Sequence, residues 1–180
     1  MRELSLNVMD VAQNSVVAGA TLTTIRVVEQ GNHLQIEIRD NGKGMTEEQV
    51  KNVTDPFFTT RTTRKVGLGV PLFKMQAEMT GGGLTITSKP GEGTDVVATF
   101  DMSHVDMIPI GDMESTILLL ITCNPDSDFV YYRSHDDRSF TLDTRELRTV
   151  LGEDVPLNTP DVAEWIKEFL QENLDSIQGG

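Results

Sequence analysis

Residues 34–44 read LQIEIRDNGKG, and this stretch does most to decide the fold of the chain. Apolar and polar residues alternate from Leu34 to Arg39, which is typical of a strand with one buried face. The strand ends in Asp40-Asn-Gly-Lys-Gly44, a loop whose glycines let the backbone approach a ligand closely. The Asp40 carboxylate can accept a hydrogen bond from an exocyclic amine, although an Asn-Gly pair is equally typical of an ordinary turn.

Upstream of this loop, residues 3–18 are predicted to form a helix, followed by a hairpin over residues 22–40. Asp10 and Asn14 stand four residues apart, so their side chains share one face of that helix. A carboxylate there could deprotonate or orient a nucleophile, and an amide oxygen could bind Mg²⁺. A solvated polar stripe is the alternative interpretation.

Downstream, the stretch Gly67-Leu-Gly69 opens another predicted helix, over residues 70–79. Bare glycine amides at a helix N-terminus form an anion site, although a simple helix-entry turn also accounts for them. No Gly-Lys-Ser/Thr follows at P-loop spacing. The preceding loop begins with Asp55–Thr60 and contains the basic residues Arg64 and Lys65. Basic and hydroxyl residues beside an anion site suggest a lid over phosphates, with a solvated loop as the alternative.

The rest of the chain is predicted to form a second hairpin, over residues 84–100, and then a mixed α/β segment. In that segment Ser115–Cys123 is predicted to be a strand, with the single cysteine as a buried, inert thiol. Two further strands are predicted at 129–133 and 140–142. Helices are predicted from Asp143 to about residue 151 and from Thr159-Pro160 onward.

Charge divides the chain into two parts, predicted as domains over residues 1–104 and 105–180. The first part has ten Lys/Arg and twelve Asp/Glu, and the second has five and sixteen, within a total net charge of −13. An acidic surface repels nucleic-acid phosphates and anionic lipid, so neither is expected as a partner. No basic, apolar leader or membrane-spanning run is found, so we expect a cytoplasmic protein.

Taken in order, four motifs resemble those of the GHKL superfamily of Bergerat-fold ATPases. Asp10–Asn14 resembles the N box, Asp40–Gly44 the G1 box, Asp55–Thr60 the F box and Gly67–Gly69 the G2 box. Gly93-Thr94 resembles the threonine segment near the end of that domain. The pattern is most similar to the ATP-binding catalytic domains of histidine kinases, and it covers about residues 3–101.

The resemblance implies an α/β (α+β) two-layer sandwich, in which a mixed sheet carries helices on one face. The acidic C-terminal segment would be a small appended α/β module. ATP would lie between the sheet and the lid. Asp40 would bind the adenine amino group, with Thr94 nearby through water, and Gly42 and Gly44 would leave room for the nucleotide.

At the phosphate end, the resemblance implies that Asn14 holds Mg²⁺ bridging the phosphates. Lys65 and Arg64 are candidates to neutralise phosphate charge. Asp10 stands where a catalytic base is usually Glu, and Asp is one methylene shorter. The backbone amides offered to the phosphates would be those of Gly67, Leu68 and Gly69.

Only two residues precede the first predicted helix, so we expect no phosphoacceptor module of the histidine-kinase kind ahead of it. His33, His104 and His135 do not resemble its phosphoacceptor motif, so an acceptor is expected on another protein. The sequence therefore predicts a stand-alone kinase or ATPase that acts on a protein partner in trans, and a homodimer is also possible. A nucleotide-gated switch with little turnover is the alternative, and a degenerate scaffold that no longer binds nucleotide is a third.

Overall fold

A computed structural model describes residues 3–55 and 69–179 of the chain. Its helices are α1 (Leu4–Val17), α2 (Glu47–Val53), α3 (Gly69–Met79), α4 (Met113–Cys123), α5 (Thr144–Leu151) and α6 (Pro160–Gln178). Its strands are β1 (Leu22–Gln30), β2 (His33–Asp40), β3 (Gly83–Lys89), β4 (Gly93–Asp101), β5 (Asp128–His135) and β6 (Arg138–Asp143).

The six strands form one mixed sheet in the order β3-β4-β2-β1-β5-β6. Both predicted hairpins, β1–β2 and β3–β4, are antiparallel, and β2 also pairs antiparallel with β4. The β1–β5 pair is parallel, and β6 returns antiparallel along β5. The predicted two-layer architecture, a mixed sheet with helices on one face, is therefore confirmed.

The helix layer is organised around α1, which packs between α3 on one side and α4 on the other. Alternate residues of the strands point into this layer, so Ile25, Ile36 and Ile38 are buried in the sheet. Val8 of α1 and Phe73 of α3 are fully buried in the same core. The periodic apolar residues that predicted the first helix are thus the ones that fix α1 on the sheet.

The helix α2 begins with a reciprocal pair of hydrogen bonds. The Gln49 backbone N–H donates to the Thr46 hydroxyl, and the Thr46 backbone N–H donates to the Gln49 side-chain oxygen. This reciprocal pair satisfies donors that the first helical turn would otherwise leave free. It also fixes where the chain leaves the glycine-containing loop after β2.

The predicted strand over Ser115–Cys123 is wrong, because the segment lies within the helix α4. The Asp112 carboxylate accepts the Ser115 backbone N–H and caps the helix. Buried residues recur at helical spacing, which a short apolar run alone does not distinguish from a strand. They are Met113, Ile117, Leu120 and Ile121. Cys123 ends this helix and is exposed, so the predicted buried thiol is also wrong.

Residues 105–180 add their strands to the sheet that residues 1–104 begin. β5 pairs along the free side of β1 from Leu22 to Glu29. Buried ionic contacts hold β5 to α4: Arg133 Nη1 lies 2.8 Å from Glu114 Oε2, which also accepts the Tyr131 hydroxyl at 2.8 Å. Whether residues 1–104 form a domain that folds alone stays a prediction.

We expect a chain ended after His104 to lose cooperative folding. It would expose the edge of β1, which β5 covers, and the side of α1 that packs on α4. Circular dichroism melting and sedimentation should therefore show a broad transition and aggregation in the shortened chain. A sharp transition at the full chain's melting temperature would instead establish an independent first domain.

Candidate functional site

The Asp40 carboxylate lies at the end of β2, on the face of the sheet that the helices cover. Its Oδ2 accepts the Ser15 hydroxyl at 2.6 Å, and its Oδ1 accepts the Gly42 backbone N–H at 2.8 Å. Charge-assisted bonds of this length are strong and directional. They hold the carboxylate in one orientation between α1 and the loop after β2.

Thr94 lies directly opposite Asp40, on the neighbouring strand β4. Its hydroxyl is 2.8 Å from the hydroxyl of Ser88 on β3. A depression of about 360 Å³ opens at this end of the sheet and includes Asp40, Ser88 and Thr94 in its lining. A carboxylate and two hydroxyls therefore converge on one small region.

Two glycines of the loop after β2 are required by close approaches within the chain. A Cβ on Gly42 would lie 2.9 Å from the Ala18 carbonyl oxygen. Gly44 has φ +72°, and a Cβ there would overlap with the Lys89 carbonyl. These approaches bring the loop against α1 and the β3–β4 hairpin. The predicted role of both glycines toward a nucleotide stays a prediction.

At the other end of the candidate site, the first residue of α3 touches α1. A Cβ on Gly69 would lie 2.7 Å from the Cβ of Asp10. Asp10 thus stands beside a helix N-terminus, where backbone N–H groups and the helix dipole favour negative charge. Burial raises the pKa of the Asp10 carboxyl above its ordinary value of 3.8, as suits a group that takes up protons.

The polar stripe of α1 is not uniformly solvated. Asn14 is half-buried one turn after Asp10, whereas Asn7, one turn before it, is fully buried. Neither polar atom of the Asn7 side chain has a hydrogen-bond partner within the described part of the chain. Burying an unpaired amide costs free energy. The polar side of α1 therefore extends into the helix layer and is not confined to the surface that faces water.

Of the predicted site residues, seven are described, and the structure arranges them in two groups along α1. Asp40, Gly42, Gly44 and Thr94 lie together near its C-terminal end, and Asp10, Asn14 and Gly69 lie along its side toward α3. Lys65, Gly67 and Leu68 lie outside the described residues, as do Arg64 and most of the predicted F box.

Ser15 and Ser88 were not predicted as site residues. Ser15 is a buried polar residue on the sheet-facing side of α1, and it orients Asp40. Its place among apolar residues at helical spacing was the available signal. Ser88 gave no such signal, because its bond to Thr94 depends on the pairing of β3 with β4.

Comparison with known proteins gives the family. Residues 1–104, more than half of the chain, match the family described as "Histidine kinase-, DNA gyrase B-, and HSP90-like ATPase". The chain belongs to this family. Membership of this GHKL family, which the four motifs predicted, supports ATP binding and ATP-dependent kinase or ATPase chemistry in general.

The similar curated proteins include sensor and sporulation kinases. The chain is 40% identical over 74 residues to "Sensor protein DegM" of Bacillus sp. (strain B21-2), covering 41% of this chain and 20% of that protein. It is 30% identical over 95 residues to "Sporulation kinase E" of Bacillus subtilis (strain 168), covering 52% and 13%. The chain therefore spans a fifth or less of the length of these two GHKL relatives.

A solved structure supports the fold alone. "Crystal Structure of N terminal domain of a DNA repair protein" superposes with a TM-score of 0.51 at 14% identity, covering 78% of this chain and 51% of that one. No helix in residues 3–55 or 69–179 is long and apolar enough to cross a membrane.

We predict that Asp10→Asn stabilises the protein at neutral pH. Above its raised pKa, Asp10 is a partly desolvated charge in the folded state and a hydrated charge in the unfolded chain. The gain should shrink as pH falls through the folded-state pKa and vanish below 3.8, where Asp10 is neutral in both states. Urea unfolding at neutral pH and again below pH 3.8 measures this gain in the free energy of unfolding.

The matched control is Asp137→Asn in the exposed β5–β6 turn, which should change the free energy of unfolding little at either pH. Equal effects of the two substitutions would contradict the raised pKa of Asp10.

Proposed function

We propose that the chain binds ATP with Mg²⁺ and transfers or hydrolyses the γ-phosphate, acting on a protein partner in trans. One observation carries the proposal: α1 links the oriented Asp40 carboxylate at one end to the Asp10–Asn14 pair beside α3. Ser15, which holds Asp40, is five residues from Asp10, or about 7.5 Å along a helix. The two ends of the site are thus on one rigid element.

Asp40 suits adenine recognition because it is an oriented hydrogen-bond acceptor. An ionised carboxylate can only accept, and the adenine amino group donates. Guanine presents a carbonyl oxygen at the corresponding position, so two acceptors would face each other. The proposal therefore includes selection of ATP over GTP. Thr94, opposite Asp40, can donate or accept and so can hold a bridging water.

The phosphates would lie at the N-terminus of α3. Gly69 begins that helix and has no Cβ, so its backbone can approach both Asp10 and an anion. The predicted contributions of Gly67, Leu68, Lys65 and Arg64 to phosphate binding belong to this proposal as well.

Magnesium fits the donor chemistry of Asn14. No group of three His, Cys, Asp or Glu within the described ranges could hold a metal ion alone. Mg²⁺ needs no such cage, since it commonly uses one or two protein oxygens, substrate phosphates and water. The Asn14 side-chain oxygen would hold the ion, which when bound neutralises charge on the phosphates.

Asp10 is the proposed base. Its raised pKa favours uptake of a proton from an attacking hydroxyl or water at the γ-phosphate. Its side chain is short, so contact through a water molecule is part of the proposal. An acceptor hydroxyl or imidazole on a partner gives a kinase, and water gives an ATPase. If neither transfer to a partner nor hydrolysis is observed, the nucleotide-gated switch becomes the proposed function in place of the enzyme.

The site assignment predicts that Asp40→Asn weakens ATP binding about 10- to 100-fold, measured by calorimetry. The Asn side chain has no charge, and its NH₂ group replaces one of the two carboxylate oxygens that accept hydrogen bonds from Ser15 and Gly42. The matched control is Asp137→Asn, because Asp137 is exposed in the β5–β6 turn and does not line the depression at Asp40. An unchanged affinity in Asp40→Asn would sink the adenine assignment.

The base assignment predicts that Asp10→Asn abolishes phosphate release or transfer while ATP affinity stays within about threefold. Removal of a general base typically costs about 10²- to 10⁴-fold in rate. Labelled γ-phosphate follows both reactions in one assay. Full turnover in Asp10→Asn would exclude Asp10 as the base, and retained nucleotide binding separates that result from loss of the site.

A further inference from the structure

The sheet ends at β6, and the outer side of this strand is unpaired. β6 follows β5 through the two-residue turn Asp136-Asp137, and its hydrogen bonds to β5 involve alternate residues. The backbone groups of Ser139 and Thr141 therefore point away from β5, and both residues are exposed. Within residues 3–55 and 69–179, no strand pairs with this side.

Free edges of natural sheets are usually protected by lysine, proline, a bulge or a covering element. β6 has none of these in its central four residues, which read Ser-Phe-Thr-Leu from Ser139 to Leu142. Its two charged residues, Arg138 and Asp143, stand at its ends. The strand is therefore chemically open to pairing with another extended segment.

An aromatic wall on α6 stands beside this edge. Trp165, 48% exposed, stacks on Phe169 with ring centroids 5.2 Å apart. Phe169 in turn meets Phe140 of β6 edge-on at 6.3 Å. An exposed tryptophan stacked on a neighbouring aromatic ring is typical of an interaction surface. We name the space between the outer side of β6 and Trp165 the β6–α6 groove.

The groove has an acidic rim on α6. Three carboxylates share the side of the helix on which Trp165 lies. Asp161 is four residues before Trp165, Glu168 is three residues after it, and Glu172 is seven residues after it. All three are exposed, and none forms an ion pair within the described residues. The single lysine of α6, Lys167, lies on another side of the helix.

We propose that the β6–α6 groove binds an extended segment of another protein as an added seventh strand, with its apolar side chains on Trp165 and its Lys or Arg side chains toward the acidic rim. Strand addition supplies backbone hydrogen bonds, and alternate side chains supply specificity. A second copy of the chain fits less well, since it would bring two acidic rims together at a net charge of −13 each.

This proposal goes beyond the nucleotide site. The groove lies outside residues 1–104, two strands away from β1, and needs no nucleotide. It would supply the partner contact that an enzyme acting in trans requires. ATP affinity is measured on the same samples. Loss of peptide binding with normal ATP affinity would count against the groove alone, whereas absence of ATP binding would count against the proposed function.

The probe is an acetylated eight-residue peptide of alternating Val and Lys, with an alternating Val and Glu peptide as its counterpart. We expect saturable binding of the Val–Lys peptide, reported by the fluorescence of Trp165, the only tryptophan in the chain. Amide hydrogen exchange at Ser139 and Thr141 should slow at least about tenfold at saturation. Slowed exchange at other amides instead would overturn the groove assignment.

Two variants test the recognition chemistry. Glu172→Lys should weaken binding about fivefold to tenfold, whereas Glu78→Lys, an equal charge change at an exposed position of α3, should leave it unchanged. Thr141→Pro removes an outward N–H that β5 does not use, so it should weaken binding about fivefold with little change in stability. Equal effects of both charge reversals would mean unspecific attraction. A dimer that Thr141→Pro dissociates would make a second copy the occupant.

Discussion

The packing of α1 on the sheet is the constraint on which the rest of the molecule depends. At its start, the backbone N–H groups of Leu4 and Ser5 donate to carbonyls of Pro109 and Ile110. Near its end, Ser15 binds the Asp40 carboxylate. The apolar residues between fix the rotation of the helix, and that rotation directs Asp10 toward α3. Small shifts of α1 would therefore disturb both ends of the candidate site together.

Periodicity explains how much of the fold was predictable. The helix α1 and the strands of both hairpins carry repeats that extend over seven or more residues, and their bounds agree with prediction within a few residues. The prediction for Ser115–Cys123 failed because its short apolar run fits the helical period and the strand period equally well. The pairing of β5 with β1 was beyond prediction, since no local pattern states which distant strand a given strand will join.

The same distinction applies to the site. Asp10, Asn14 and Asp40 were predictable because each lies in a local motif with a spacing that chemistry explains. Ser15 and Ser88 act through contacts between elements, over 25 residues for Ser15 to Asp40, and no spacing rule reports them. Gly42 and Gly44 were predicted for a ligand, yet the structure also gives each a packing reason. Motifs therefore identify the reacting groups, and tertiary structure identifies the residues that orient them.

The position of β6 at the edge of the sheet gives a physical reason for the acidic character of residues 105–180. By pairing with β1, β5 covers one edge, and β6 then carries the open edge in its place. An open, uncharged edge beside exposed Trp165 favours self-association. The carboxylates along α6 oppose that outcome through repulsion between copies, and the same charges attract a basic segment. One charge distribution can thus disfavour the wrong occupant of the β6–α6 groove and select the right one.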